Sequence, residues 1–117
     1  MEVNIREAIA EDYIALCGLL DEVDALHRIN LPHTFQKPNR PVWEHDYYWG
    51  LITDENVCLF VAEVGDKLVG FVHAVIRDTP AMPVFVPRRY VIVDSIGVKS
   101  ELQHHGIGQM LVDTVHQ

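Results

Sequence analysis

The sequence predicts an α+β (mixed α/β) fold in which helices and strands follow one another irregularly. Three observations predict it: an amphipathic helical pattern near the N-terminus, two apolar β-type runs joined by a short Gly-containing link, and a third apolar run that leads through a turn into a helix. The resulting order lacks the regular alternation of a Rossmann-type sheet. The 117 residues fit one domain, predicted over residues 1–117, and are too few for two.

The N-terminal third is predicted to contain a short strand and two helices. The strand lies around Val3 and Ile5, and residues 10–12 begin the first helix, with two acids at the positive end of the helix dipole. Three prolines within residues 31–41 predict a loop, and the second helix is expected to start near Pro41, which a first helical turn tolerates. The apolar face of the first helix consists of Ile14, Leu16, Leu19, Leu20, Val23 and Leu26.

The middle of the chain predicts an antiparallel hairpin. Residues 57–64 and 68–76 are almost continuously apolar, and the link Gly65-Asp66-Lys67 joins them. Because polar residues do not alternate along these runs, both faces of the sheet are expected to be covered. A proline-containing loop, a strand over residues 90–98, a turn over residues 99–107 and a helix from Gly108 complete the prediction.

Charge and cysteine content exclude several classes of function. The formal net charge of −8 repels nucleic acid and anionic membranes, so neither is expected as a partner, whereas a cationic substrate is attracted. Cys17 and Cys58 are isolated from each other and from metal-type spacings, which predicts reduced thiols, no metal site and a cytoplasmic protein. The N-terminus has no signal-peptide pattern, and no apolar run reaches the ~20 residues of a membrane span.

The segment over residues 93–108 carries the strongest chemical signal. A strand enters a Gly-containing turn and then a helix, so unpaired backbone N–H groups converge at the positive end of the helix dipole. Gly106 and Gly108 leave that backbone open to a ligand, which predicts a phosphate or pyrophosphate site. An ordinary tight turn is the alternative. The third glycine of the Rossmann pattern and the Gly-Lys-Ser/Thr of the Walker pattern are absent.

The motif Gln103-x-x-Gly106-x-Gly108 resembles the Gln/Arg-x-x-Gly-x-Gly/Ala signature of the GNAT acetyltransferase superfamily. The flanking residues, the hairpin and the N-terminal segment are also similar to that family, so the resemblance spans the whole chain. It implies the GNAT-like acyl-CoA N-acyltransferase fold. It also implies direct transfer of an acetyl group from acetyl-CoA, the co-substrate, to a primary amine on a small molecule or peptide, without a metal ion.

The resemblance assigns roles to individual residues. The strand residues are expected to bind the pantetheine arm, and a backbone N–H of Ile96 or Val98 is expected to stabilise the thioester oxygen. His104 and His105 replace the basic residues common in this turn, so acetyl-CoA affinity is expected to rise as the pH falls from 8 to 6. The implied cofactor-binding residues are Ile96, Gly97, Val98, Gln103, His104, His105, Gly106, Ile107, Gly108 and Gln109.

The resemblance implies Asp94 as the catalytic base that deprotonates the amine, and the alternative is an ordinary exposed carboxylate on a strand. Glu63 and His73 are weaker candidates, and His73, flanked by apolar residues, is expected to be a core histidine with its hydrogen bonds satisfied. A further aromatic run either lines an acceptor pocket or divides between core and surface: Tyr47, Tyr48 and Trp49.

The GNAT fold continues beyond a helix of this kind with another strand, another helix and a hairpin, and the later helix often carries a tyrosine that protonates the departing thiolate. The chain is therefore predicted to lack the C-terminal part of the fold. A sheet that ends at its fourth strand exposes an apolar edge, so a homodimer that covers this edge is expected. The alternative function is a catalytically inactive GNAT remnant that binds CoA weakly or only self-associates.

Overall fold

The computed structural model describes residues 2–30, 43–78, 83–84, 86, 89–103 and 105–116, and of residues 23–30 it describes the backbone. Its helices and strands belong to the mixed α/β class, as predicted. No helix among the described residues is both long and apolar enough to cross a membrane. The elements in chain order are β1 (Asn4–Glu7), a 3-10 turn (Ala10–Asp12), α1 (Tyr13–Asn30), α2 (His45–Thr53), β2 (Val57–Val64), β3 (Lys67–Asp78), β4 (Arg89–Val98), a second 3-10 turn (Ser100–Leu102) and α3 (Ile107–Val115).

The strands form one antiparallel sheet in the order β1-β2-β3-β4. The predicted hairpin between β2 and β3 is confirmed, although Lys67 already pairs with Val64 and belongs to β3 rather than to the turn. Gly65 closes the turn with a φ of 62°, a left-handed conformation that glycine adopts without a steric penalty.

The sheet separates two apolar cores. Helices α1 and α2 pack on one face, and α3 packs on the other, so the side chains of β2 and β3 are buried in both directions. This arrangement confirms that both faces of the hairpin are covered and explains its nearly continuous apolar sequence. The core under α1 and α2 contains Leu16, Leu19, Tyr48, Leu51, Val61 and Phe71, and the core under α3 contains Ala62, Val69, Val72, Leu111 and Val115.

The second helix begins later than predicted. Pro41 lies outside the described residues, and α2 starts at His45, after Glu44 in an extended conformation. The carbonyl of Glu44 accepts the N–H of Tyr48 at 2.9 Å, which is the first hydrogen bond of the helix. Trp43 lies before the helix, and its side chain is buried in the core under α1 and α2. The prediction of a start near Pro41 is therefore wrong, because Glu44 is extended and the first helical turn begins after it.

Strand β4 contains one residue more than its pairing with β3 uses. His73 pairs with Ser95, and the next residue, Ala74, pairs with Val93, so Asp94 has no partner and forms a β-bulge. Within the described residues, the outer edge of β4 pairs with no other strand. Its apolar side chains are correspondingly exposed, at 41% for Tyr90 and 46% for Ile92.

Candidate functional site

The first half of the turn between β4 and α3 is closed by internal hydrogen bonds. The N–H of Lys99 donates to the carbonyl of Val69 at 2.8 Å, and that of Leu102 donates to Lys99 at 2.9 Å. The N–H of Gln103 approaches the carbonyl of Ser100 at 3.4 Å. These three amides are occupied, so the expectation of bare amides in the turn is wrong for Lys99, Leu102 and Gln103.

The second half of the turn is open. Gly106 occupies the N-cap position of α3 with a φ of 82°, and no side-chain hydrogen bond caps the helix there. A Cβ built on Gly106 would meet no atom within 4 Å, so this glycine faces open space. The N–H groups of the first helical residues, Ile107 to Gln109, precede the first intrahelical bond, which Met110 donates to Gly106 at 3.1 Å. The capacity to bind an anion is therefore concentrated between Gly106 and Gln109.

The side chains of this half of the turn are directed to other partners. Ile107 is buried at 1% exposure in the core under α3, and the amide of Gln109 donates to Asp113 at 2.8 Å. His105 is exposed, whereas His104 lies outside the described residues. Any ligand at this turn would therefore meet backbone N–H groups of Ile107 and Gln109 rather than their side chains.

The strand before the turn presents backbone groups at its outer edge. Lys99 donates to β3, so the alternation of an antiparallel strand directs the N–H of Gly97 to β3 and those of Ile96 and Val98 outward. The carbonyl of Val98 is consistent with this direction, since it accepts the side-chain amide of Gln103 at 3.4 Å. The outward N–H groups of Ile96 and Val98 thus lie next to the open half of the turn.

Asp94 and His73 meet on the sheet face covered by α1 and α2. The carboxylate oxygen Oδ2 of Asp94 lies 3.3 Å from Nδ1 of His73, and the Asp94 side chain is 62% exposed. His73 is 4% exposed, and burial lowers the pKa of its imidazole, against the opposing charge of Asp94. Its Nε2 is buried and has no hydrogen-bond partner in the described part of the chain. The expectation of a buried His73 is confirmed, but the expectation that its hydrogen bonds are satisfied is not: among the described residues, the polar contact of the ring is the 3.3 Å approach of Nδ1 to Asp94.

Glu63 is occupied by an ion pair. Its carboxylate accepts Arg6 at 3.3 Å and Asn4 at 3.0 Å, and Arg6 also binds Asp12. The Arg6 guanidinium and the Asn4 amide hold the pKa of Glu63 below its usual range. A lowered pKa makes a carboxylate a poor base at neutral pH, so Glu63 is a weaker candidate than Asp94.

The aromatic run of α2 divides between core and surface. Tyr48 is 1% exposed and donates its hydroxyl to the carbonyl of Ile9, whereas Tyr47 and Trp49 are 50% and 54% exposed. Sequence reasoning did not single out Trp43, whose ring contacts His73 edge-on with centroids 5.7 Å apart. It also missed the bulge at Asp94. The signal available was the polar pair Asp94-Ser95, which interrupts an otherwise apolar strand.

Comparison with known proteins places this geometry among acetyltransferases. Residues 20–117 match the model of the acetyltransferase (GNAT) family. The tetramutant of the BH1408 protein from Bacillus halodurans superposes with a TM-score of 0.82 at 20% identity, over 96% of this chain and 72% of that one. An acetyltransferase from Vibrio fischeri superposes with a TM-score of 0.75 at 18% identity, over 97% of this chain and 84% of that one.

A third solved structure is somewhat closer in sequence. The ribosomal-protein-alanine N-acetyltransferase from Brucella melitensis biovar Abortus 2308 is 26% identical and superposes with a TM-score of 0.70, over 98% of this chain and 71% of that one. A search of curated proteins gave no significant match.

Proposed function

Because the chain belongs to the acetyltransferase (GNAT) family, we propose that it transfers an acetyl group from acetyl-CoA to a primary amine of a small molecule or peptide. The observation that carries the proposal is the uncapped N-terminus of α3 at Gly106, beside the outward N–H groups of β4. The N-terminus of the helix suits an anion, and the outward N–H groups of the strand suit the extended pantetheine arm of CoA.

The residues at this turn fit the diphosphate of CoA. Gly106 has no Cβ, and the place where one would project is open, so an anion can approach the amides of Ile107, Gly108 and Gln109 closely. A larger residue at Gly106 would also be strained at a φ of 82°. The assignments of the remaining cofactor-binding residues, His104 among them, stay predictions.

Asp94 is proposed as the base for the acceptor amine. Its side chain is largely exposed on the bulge of β4, two residues before Ile96, whose N–H points outward. The amine nitrogen bonds to the acetyl carbon and gives its proton to Asp94, while the C–S bond breaks and CoA leaves as the thiolate. The thiolate takes up a proton from water, and Asp94 returns its proton to the solvent. The N–H of Ile96 or Val98 would donate a hydrogen bond to the thioester oxygen as negative charge develops on it.

Two amines are suitable first probes. The net charge of −8 favours a cation, which makes the polyamine spermidine a reasonable small-molecule probe. The Brucella melitensis structure is by its name a ribosomal-protein-alanine N-acetyltransferase, which suggests a peptide with an N-terminal alanine as the second probe.

Calorimetry with acetyl-CoA, CoA and ATP on the purified chain tests the proposal, followed by thiol release with each amine. Binding of acetyl-CoA and CoA in preference to ATP, with amine-dependent thiol release, is the expected result. Equal binding of all three ligands would indicate a general phosphate site instead. CoA binding without thiol release for either amine would favour the alternative of an inactive remnant.

Self-association of the chain stays a prediction. It is supported by the unpaired outer edge of β4 within the described residues and by the exposure of Ile92 and Ile96, at 46% and 38%. Light scattering coupled to size-exclusion chromatography measures it directly, and a monomer at all concentrations would contradict it.

A further inference from the structure

His73 occupies an unusual position for a polar side chain. It projects from β3 into the core under α1 and α2, where it is 4% exposed and lies edge-on to the ring of Trp43. Trp43 is itself fixed, because its carbonyl accepts the Tyr13 hydroxyl at 2.9 Å and its ring packs on Phe71. The imidazole is therefore packed against an aromatic ring that is itself held in place.

The protonation state of His73 follows from this burial. Burial lowers the pKa of the imidazole, and among the described residues Asp94 is the charged group that opposes this shift. The ring is therefore neutral at neutral pH and carries one proton. Which nitrogen carries the proton depends on the partners of the two nitrogens.

The partners of the ring select one tautomer. Nδ1 faces the Asp94 carboxylate at 3.3 Å, and a carboxylate is a hydrogen-bond acceptor, so the proton belongs on Nδ1. Nε2 has no partner in the described part of the chain, and a lone pair is easier to leave there than an unsatisfied N–H donor. The contact to Asp94 is thus the polar interaction that accounts for a histidine at this position.

The contact with His73 matters because Asp94 lies in the β-bulge of β4. Asp94 is the extra residue of β4 and takes part in no pairing with β3, so no residue of β3 lies directly opposite it. The side chain is 62% exposed, and His73 is the partner that the described residues provide for it. An exposed carboxylate without such a partner would sample several rotamers.

We propose that His73 is a positioning residue: its Nδ1–H donates to Oδ2 of Asp94 and holds the carboxylate in the orientation that accepts the proton of the amine. The inference rests on the proposed function, since it takes Asp94 as the base. His73 does not itself contact the amine or the acetyl group. Its effect is on the rate of the chemical step, and acetyl-CoA binding does not depend on it.

The hydrogen bond can be tested without any activity. NMR spectra of the full chain with isotope-labelled histidine rings report the tautomer of each ring, and the His73→Asn variant identifies the signal of His73. We expect the Nδ1–H tautomer in the wild type and its loss or mixing in Asp94→Ala. A wild-type ring protonated on Nε2, or a tautomer that Asp94→Ala leaves unchanged, would overturn the proposal.

Two variants test the positioning role in turnover with acetyl-CoA and either amine probe. His73→Asn keeps an N–H donor near the position of Nδ1, whereas His73→Gln keeps one near Nε2. We expect kcat of the Asn variant within about threefold of the wild type and kcat of the Gln variant reduced ~10- to 100-fold, with KM for acetyl-CoA unchanged in both. Asparagine is smaller than glutamine, so a purely packing role predicts the opposite order.

The outcomes separate this inference from the proposed function. Equal kcat values for the two variants, or a lower value for Asn, would refute the positioning role while leaving the acetyltransferase assignment intact. A wild-type chain that transfers no acetyl group to either amine would remove the proposed function and the positioning role with it. The NMR result would then still decide whether Nδ1 bonds to Asp94. Circular dichroism checks that both variants are folded.

Discussion

Both carboxylate oxygens of Asp12 bind the guanidinium of Arg6, at N–O distances of 2.8 and 3.0 Å. Asp12 also accepts the N–H of Ile9 at 2.9 Å, which ties β1 to the 3-10 turn that precedes α1. Asp12 is 7% exposed, so its charge is largely removed from water and depends on these partners. The pair has the shortest ionic contact among the residues that the structure describes, and it leads to a prediction about stability.

Replacing Asp12 by asparagine is expected to lower the free energy of unfolding by about 2 kcal/mol at neutral pH, because Arg6 loses a bidentate charged partner. The bond to Arg6 lowers the pKa of Asp12, so its stabilisation is complete above the unfolded pKa of ~4 and is lost as the pH falls through the lower folded value. Urea unfolding from pH 7 to pH 3 should therefore show a smaller loss of stability in Asp12→Asn than in the wild type.

The control for this change is Asp78→Asn. Asp78 pairs with Arg89 at 3.0 Å, but both side chains are about two-thirds exposed, at 66% and 69%, and water screens the pair. We expect no measurable change in unfolding. A similar loss of stability in both variants would show that burial of Asp12 is not what matters.

Gly65 and Gly106 both have a left-handed backbone conformation, so comparing their alanine variants distinguishes an effect of backbone strain from an effect on ligand binding. Gly106→Ala and Gly65→Ala both force alanine into a positive φ, 82° and 62°, which costs roughly 1 kcal/mol of stability in each. Only Gly106 lies at the proposed diphosphate site, so we expect about a tenfold weaker Kd for acetyl-CoA in Gly106→Ala and an unchanged Kd in Gly65→Ala. Calorimetry measures both. Equal affinities in the two variants would argue against diphosphate binding at the N-terminus of α3.

Asp94→Asn is expected to lower kcat by ~10²- to 10⁴-fold, because asparagine cannot accept the proton of the amine. The Kd for acetyl-CoA should not change, since the carboxylate is not part of the turn that binds the cofactor. Asp78→Asn, an exposed acid at the end of β3, serves as the activity control. Retention of full kcat in Asp94→Asn would assign the base to another group.

Gly70 is expected to resist substitution for steric reasons. A Cβ there would lie 3.1 Å from the carbonyl oxygen of Gly97 and 3.3 Å from Cδ1 of Leu111, and the first of these atoms belongs to a paired strand that cannot easily move. Gly70→Ala should therefore destabilise the fold by about 1–2 kcal/mol. Gly18 in α1 would meet nothing within 4 Å, so Gly18→Ala should be neutral or stabilising by up to ~1 kcal/mol. Thermal unfolding of both variants distinguishes these expectations, and a stabilised Gly70→Ala would contradict the first.

The parts of the fold that depend on local pattern could be predicted from the sequence. The hairpin followed from two apolar runs and a short link, and the start of the first helix followed from the acids at residues 10–12. The start of α2 at His45 could not be predicted from Pro41, since a proline is tolerated in a first helical turn without requiring a helix to start there.

The candidate site was predictable to a similar degree. The open glycine at the start of α3 followed from Gln103-x-x-Gly106-x-Gly108, whereas the closed half of the turn depended on Val69, which lies on β3. The contact of Asp94 with His73 likewise depended on the pairing register of β3 and β4. The pairing register of two strands cannot be predicted from the sequence of either strand alone.

The bulge in β4 makes Asp94 an extra residue between two regular stretches of the strand. Val91 and Val93 before the bulge and Val98 after it contribute to the core under α3. If Asp94 were deleted, these residues and Ile96 would alternate regularly along the strand. Their side chains would stay on the face of the sheet that α3 covers. The pairing register of the sheet therefore does not depend on Asp94. The residue proposed to carry the chemistry is an insertion in β4, and the strand keeps its alternation with or without it.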